Sequence, residues 1–78
     1  MNIRLEFANR LQFIRKHRGM TQDALSIAAS IDRSYLSEVE NGKSAPTLDA
    51  IDRLAKALDI HPAEFFVFSV REPKQRYE

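Results

Sequence analysis

Four polar residues in the middle of the chain have side chains suited to bonding the edges of base pairs. They are Arg33, Ser34, Ser37 and Glu38. With Leu36 and Val39 turned inward at helical spacing, these four would share the opposite, outward face of one helix. Arginine can donate two hydrogen bonds to the O6 and N7 of guanine, a pairing worth about 1–3 kcal/mol of discrimination. Serine hydroxyls can bond to either type of base.

Helices must position these side chains, because the apolar residues recur at spacings of three and four and do not alternate. The pattern predicts an all-α fold of five short helices. Helix 1 covers about 4–18, helix 2 covers 21–29, helix 3 covers Arg33–Glu40, helix 4 follows Thr47, and helix 5 begins at Pro62. The residues that suit the starts of helices 2, 3 and 4 are Thr21, Asp32 and Thr47. Gly19 and the pair Asn41-Gly42 suit helix ends.

The second and third predicted helices are short and are joined by a three-residue connection, Ser30-Ile31-Asp32. This is the arrangement of a helix-turn-helix, which places its second helix in the major groove of DNA. The apolar face of helix 2, formed by Leu25, Ala28 and Ala29, consists mainly of small residues. Such residues allow the two helices to approach closely. The polar face of helix 3 is thus predicted to lie open to solvent.

The composition excludes several classes of function. A chain of 78 residues without cysteine has one small core, and it can form neither disulfides nor thiolate metal sites. His17 and His61 are isolated in sequence, so no metal or other cofactor is expected. The apolar run 65–68 is far shorter than a membrane span, which needs about 20 residues. With no secretory signal recognised, we expect a cytoplasmic location. We expect one domain over 1–70 and a polar tail over 71–78.

The net charge of +1 conceals an uneven distribution. Residues 1–20 carry five cations and one acid, a net charge of +4, whereas residues 21–42 carry one cation and four acids, a net charge of −3. A basic segment can attract a polyanion if folding brings its cations to one face. A solvated helix surface is the alternative interpretation.

Three stretches together resemble the Cro/repressor-type (XRE) helix-turn-helix family. They are Thr21-Gln22-Asp23-Ala24-Leu25, the run from Ser34-Tyr35-Leu36-Ser37 to Glu38-Val39-Glu40-Asn41-Gly42-Lys43, and Pro46-Thr47-Leu48. The resemblance covers about residues 5–68 and implies a compact DNA-binding domain of the phage-repressor type. The run Asp32-Arg33-Ser34-Tyr35-Leu36-Ser37 is similar to restriction–modification controller proteins.

The resemblance also implies individual roles. Base readout would fall to Arg33, Ser34, Ser37 and Tyr35, with the tyrosine against the DNA backbone or a thymine methyl. Contacts to phosphate would come from Gln22, Asn41 and Lys43, and Arg15 and Glu40 would form a pair bridging helices 1 and 3. The alternative for Gln22 and Arg33 is simple surface exposure, and for Arg15–Glu40 an ordinary surface ion pair. Ser26 and Ser30 stand where the family usually has alanine and glycine.

The aromatic C-terminal segment predicts an interface. Phe65 and Phe68 are expected to close the core, so that Phe66 and Val67 or Val70 point outward. Exposed aromatic surface on so small a domain marks a contact surface. We therefore expect a homodimer built on residues 60–70 with Leu58, which would match a palindromic site. A monomer with an apolar C-terminal plug is the alternative.

These observations predict a sequence-specific regulator of transcription that binds double-stranded DNA as a homodimer, with no small-molecule effector. The resemblance implies autoregulation and control of a restriction–modification system. Activation would require a surface for RNA polymerase, and the acidic candidates Asp23 and Glu38 are equally explained by helix capping and solvation. An antitoxin-like or adaptor module that binds another protein is the second hypothesis. An enzyme is not expected, because the carboxylates lie mostly at caps or in i,i+4 pairs.

Overall fold

The computed structural model describes residues 1–68, and every regular element in that range is helical. The elements are α1 (Ile3–His17), α2 (Gln22–Ala29), α3 (Arg33–Glu40), α4 (Leu48–Leu58) and a 3-10 turn (Pro62–Phe66). The prediction of an all-α fold with a helix-turn-helix is confirmed. The predicted tail, 71–78, lies outside the described residues. Of the helices in residues 1–68, none has the length and apolar character needed to cross a membrane.

The fifth predicted helix forms as a short 3-10 turn and not as an α-helix, so the count of α-helices is four in residues 1–68. The turn is five residues long, and the Glu64 N–H donates to the His61 carbonyl at 2.9 Å, three residues back. Pro62 at its start has no N–H to donate. Val67 leaves the turn with extended backbone angles (φ −88°, ψ 94°). This short element still closes the core, because it carries Phe65.

Side-chain caps begin the helices where the sequence predicted them. Thr21 Oγ1 accepts from the Ala24 N–H and Thr47 Oγ1 from the Ala50 N–H, each at 3.0 Å. Asp32 Oδ2 accepts from the Tyr35 N–H at 3.4 Å. Each contact satisfies one of the N–H groups that the first turn of a helix leaves unpaired.

The ends of α1 and α2 use the left-handed conformation. After α1, Gly19 has φ +69°, and the Met20 N–H returns to the Arg15 carbonyl at 3.1 Å. After α2, Ser30 has φ 57°, and the Ile31 N–H returns to the Ser26 carbonyl at 3.0 Å. Both are Schellman-type ends, although only the first has the glycine that this conformation favours.

One core joins all the elements. Its members come from each of them: Phe7, Leu11, Ile14, Leu25, Ala29, Leu36, Val39, Ile51, Leu54, Ala55, Leu58 and Phe65. The predicted stripe of α1 is buried, and the Phe65 ring lies 5.2 Å from that of Phe7. The C-terminal aromatic turn is therefore anchored on the first helix.

Three apolar positions differ from the sequence expectation. Leu48 follows the helical period of Ile51 and Leu54, which predicts burial, but it is 84% exposed, because it is the first residue of α4 and the buried residues begin at Ala50. Ala28 is exposed, and Ser26 is buried on α2 instead, with its hydroxyl donating to the Asp23 carbonyl at 2.9 Å. Phe68 is only half-buried and packs on Phe66, so Phe65 alone fills the core from this segment.

The left-handed serine after α2 gives a test of stability. We expect Ser30→Gly to raise the free energy of unfolding by about 0.5–1 kcal/mol, since glycine relieves the penalty on a Cβ at positive φ. Thermal and denaturant unfolding measure the change. Gly19→Ala is the matched control: its φ is similar and no atom lies within 4 Å of the added Cβ. It should lower stability by about 1 kcal/mol. A Ser30→Gly protein less stable than the parent would contradict this account.

Candidate DNA-binding surface

The outward face of α3 brings together three of the residues predicted to read bases. Arg33 and Ser34 are exposed and Ser37 is half-exposed, and with Gln22 of α2 they line a shallow polar depression. The opposite face of α3 carries Leu36 and is fully buried there. Because one face is fixed in the core, the polar face must point away from the domain.

The fourth predicted reader, Tyr35, lies at the side of this face. Its ring is half-buried and packs against the core. Its hydroxyl accepts a hydrogen bond from the Thr47 N–H at 3.1 Å. The tyrosine therefore joins α3 to the start of α4, and a contact to DNA from its exposed edge stays a prediction.

Arg33 has a charged neighbour across the helix-turn-helix. Its Nε lies 3.3 Å from Oδ1 of Asp23, and the two side chains are 59% and 69% exposed. The pair links the first residue of α3 to the second residue of α2. Ten positions separate Asp23 from Arg33 in the sequence, and only the fold brings them together.

The loop after α3 presents the two predicted phosphate contacts, Asn41 and Lys43, as exposed side chains. Its main chain is tied to α3: the N–H groups of Lys43 and Ser44 both donate to the Glu38 carbonyl, at 2.9 and 3.3 Å. Ser44 Oγ also donates to Glu38 Oε1 at 2.9 Å. The lysine side chain thus extends into solvent from a fixed backbone.

A buried ion pair lies behind the surface. Arg15 and Glu40 are 8% and 2% exposed. The guanidinium donates twice to the carboxylate, from Nε to Oε2 at 2.7 Å and from Nη2 to Oε1 at 2.9 Å. Arg15 Nη1 also donates to the Met20 carbonyl at 2.8 Å. This geometry differs from that of a surface pair, since both charges are withdrawn from water and bonded on several sides.

Two glutamines complete this network, which we call the Arg15–Glu40 network. Gln12 Nε2 donates to the Glu40 carbonyl at 2.6 Å, and Gln22 Nε2 donates to Glu40 Oε1 at 3.0 Å. Neither link was predicted from the sequence. Gln12 precedes Arg15 by three residues, so the two share a face of α1 beside its apolar stripe. That spacing is the only signal in the sequence that could have indicated Gln12.

Gln22 is half-buried, with one amide hydrogen committed to Glu40. A primary amide has a second N–H and a carbonyl oxygen. Neither is bonded within residues 1–68, so the bond to Glu40 leaves the predicted phosphate contact chemically open.

Not all of the basic first segment is free to attract a polyanion. Arg15 is buried, and its charge is paired with Glu40 in the Arg15–Glu40 network. Arg10 Nε donates to the Glu64 carbonyl at 2.8 Å, and Arg10 Nη2 lies 3.4 Å from the Glu64 carboxylate. Lys16 and Arg18 are exposed. The net charge of the segment therefore overstates its positive surface.

An exposed apolar patch is formed by α1 and the end of the 3-10 turn. Phe66, Val67 and Phe13 are 43%, 55% and 56% exposed. Phe13 was not predicted here; Phe13, Val67 and the half-buried Phe68 line one shallow groove together with the polar Glu6, Asn9 and Arg10. We call Phe13, Phe66 and Val67 the aromatic patch.

Leu58, predicted for the same interface, does not lie at the surface. It is 1% exposed, because it is the last residue on the buried face of α4. It is therefore removed from the predicted interface. Val70 lies outside the described residues.

Within residues 1–68, no three acidic or histidine side chains are arranged so that they could hold a metal ion. His61 Nδ1 instead accepts from the Ala63 N–H at 3.0 Å at the start of the 3-10 turn. The His17 ring stacks on Phe13 with centroids 5.3 Å apart. Both histidines thus have structural contacts in the fold.

Comparison with known proteins gives matches over most of the chain. Residues 11–65 match the helix-turn-helix family HTH_3. Control protein C.BamHI of Bacillus amyloliquefaciens is 33% identical over 69 residues, which are 87% of this chain and 85% of the relative. Control protein C.MunI of a Mycoplasma species is 30% identical, over 83% of this chain and 89% of the relative.

The fold is also similar to solved structures. The crystal structure of the restriction-modification controller protein C.AhdI from Aeromonas hydrophila superposes with a TM-score of 0.82 and is 38% identical. The match covers 85% of this chain and 100% of that one. The family match and these relatives extend over α2, α3 and most of the core, so the likeness is not limited to a short motif.

Loss of one member of the buried pair should destabilise the fold strongly. We expect Glu40→Gln to lower the free energy of unfolding by about 3–5 kcal/mol, because the Arg15 charge would stay buried without its counter-ion. Denaturant unfolding provides the measurement.

Asp52→Asn is the control. It removes an exposed i,i+4 pair with Lys56, whose Nζ lies 3.0 Å from the Asp52 carboxylate. This change should cost less than about 1 kcal/mol. Equal effects of the two substitutions would show that the buried pair is no more important than the exposed one.

Proposed function

Because the chain belongs to the helix-turn-helix family of the Cro/repressor (XRE) type, we propose that it is a sequence-specific regulator of transcription that binds double-stranded DNA as a homodimer. The observation that carries the proposal is the outward polar face of α3, where Arg33, Ser34 and Ser37 lie beside Gln22. A helix fits the major groove of B-DNA, and these side chains can bond base edges there.

Arg33 would supply most of the sequence discrimination. It is the first residue of α3 and is exposed, and the N-terminal residues of a reading helix contact bases in this motif. Its guanidinium would donate to the O6 and N7 of a guanine. Ser34 and Ser37 would bond neighbouring bases, with Tyr35 at the edge of the contact.

Phosphate contacts would hold α3 in register from both sides. The free N–H of Gln22 and the N-terminus of α2 suit a phosphate on one side, where the helix dipole is positive. Asn41 and Lys43 would reach a phosphate on the other side. Contacts of this kind fix the orientation of the domain on the duplex and read no sequence.

A homodimer would join two such surfaces. A single eight-residue α3 contacts only a few base pairs, whereas a two-fold pair reads a palindromic site with half-sites about 34 Å apart. The aromatic patch is the surface that we propose for the contact, since it exposes Phe13, Phe66 and Val67 together.

The relatives suggest the biological setting. They are named as control or restriction-modification controller proteins, and we propose the same role for this chain. Occupancy of the operator would then follow protein concentration through the monomer–dimer equilibrium, which suits autoregulation.

Two substitutions test the docking surface. Arg33→Ala should weaken binding to the preferred duplex by about 1–3 kcal/mol and relax the preference at one base position. Lys43→Ala should weaken all duplexes about equally and reduce the salt dependence, because it removes a phosphate contact. Selection of duplexes from a random pool, followed by titrations at several salt concentrations, measures both. Lys56→Ala, in the exposed pair with Asp52 on α4, is the control and should change neither quantity.

If Arg33→Ala and Lys43→Ala both bind like the parent protein, the proposed docking face is wrong. If the parent protein enriches no duplex from the pool, the adaptor or antitoxin-like hypothesis is favoured over DNA binding.

The aromatic patch gives a separate test of the homodimer. Val67→Asp should raise the dimer dissociation constant by about tenfold or more, because each copy would bring an unpaired charge into an apolar contact. Sedimentation velocity across micromolar concentrations measures the equilibrium. Ile27→Asp is the control, since Ile27 is 78% exposed on α2, away from the patch. A parent protein that sediments as a monomer both alone and with DNA would refute the homodimer.

A further inference from the structure

An exposed ion pair crosses the helix-turn-helix beside the reading face. Arg33 Nε lies 3.3 Å from Oδ1 of Asp23. With side chains 59% and 69% exposed, the pair is well solvated and adds little to stability. Stability therefore gives little reason for the pair. Its position beside the proposed base contacts suggests a role in DNA binding instead.

The contact with Asp23 can restrict the position of the Arg33 guanidinium. The carboxylate lies against Nε, so the two terminal amino groups of Arg33 are the ones left to reach a base edge, and these can donate together to guanine. A long, flexible arginine without such a partner would also settle on nearby phosphates, which carry no sequence information. In the groove, where water is displaced, the attraction between Asp23 and Arg33 becomes stronger.

The same carboxylate also acts on the DNA. A fixed negative charge at the edge of the reading face repels phosphates, which penalises every sequence alike. Hydrogen bonds from Arg33 to a guanine offset this loss of affinity, and only a duplex with a guanine at that position provides them. The positioning of Arg33 increases the difference in affinity between the preferred duplex and all others, whereas the repulsion lowers the absolute affinity for all of them.

We propose that Asp23 is a specificity-determining residue that acts through Arg33, holding the guanidinium for a guanine and disfavouring its use on phosphate. This inference rests on the proposed DNA-binding function. Asp23 is a positioning residue in it: it need not touch a base itself.

A purely structural role for Asp23 is the competing explanation. Asp23 is the second residue of α2, where a carboxylate favours the helix dipole. Asp49 occupies the equivalent second position of α4, is exposed, and forms no ion pair within residues 1–68. Asp49→Asn therefore removes the same charge from the same helical position without disturbing Arg33.

The experiment compares affinities of the full chain for two duplexes. The first is the duplex selected by the parent protein. The second is the same duplex with one guanine replaced, at the base position where the Arg33→Ala protein no longer prefers guanine. Asp23→Asn should lower the ratio of the two affinities by about three- to tenfold, with little loss or a gain on the substituted duplex. Asp23→Glu should retain part of the ratio, and Asp49→Asn should leave it unchanged.

The double variant Asp23→Asn with Arg33→Ala isolates the coupling. In the Arg33→Ala protein, the second change should not alter the ratio further, because the residue through which Asp23 acts is absent. Equal effects of Asp23→Asn and Asp49→Asn, or an effect of Asp23→Asn that persists without Arg33, would overturn the inference while leaving the proposed function intact. A parent protein that selects no duplex overturns the proposed function, and this inference with it.

Discussion

The buried pair between Arg15 and Glu40 holds the arrangement on which the rest of the structure depends. It joins the last turn of α1 to the last turn of α3 with two hydrogen bonds of 2.7 and 2.9 Å. A buried charge pair is not a general source of stability, but removal of either partner leaves the other charge without compensation. The pair therefore ties the end of α3 to the end of α1 at a defined distance.

The same network sets the geometry of the polar surface. Glu40 accepts from Gln22, at the start of α2, and from Arg15, so the beginning of α2 and the end of α3 have a common reference point. Leu36 on the inner side of α3 is fully buried. The outer side is consequently exposed as a rigid face, and the chemistry of that face can vary without altering the core.

Local signals predicted the helices, since each acts within a few residues. The caps at Thr21, Asp32 and Thr47 and the stop at Gly19 define boundaries that the structure reproduces. Contacts between distant residues were beyond this reasoning: the partner of Asp23 is ten positions away, and the Gln22–Glu40 bond spans eighteen. The start of the fifth helix at Pro62 was predicted, but proline at a first position suits a 3-10 turn as well as an α-helix, and Val67 ends the element after five residues.

The loop that follows α3 has one more consequence. Glu38 fixes it through its carbonyl and its carboxylate, so the main chain at Lys43 and Ser44 is already ordered in the isolated domain. The loop is therefore preorganised, and its backbone does not have to become ordered when a partner binds. Association should then carry little conformational entropy penalty from this segment, and its heat-capacity change should reflect buried surface without a contribution from coupled folding.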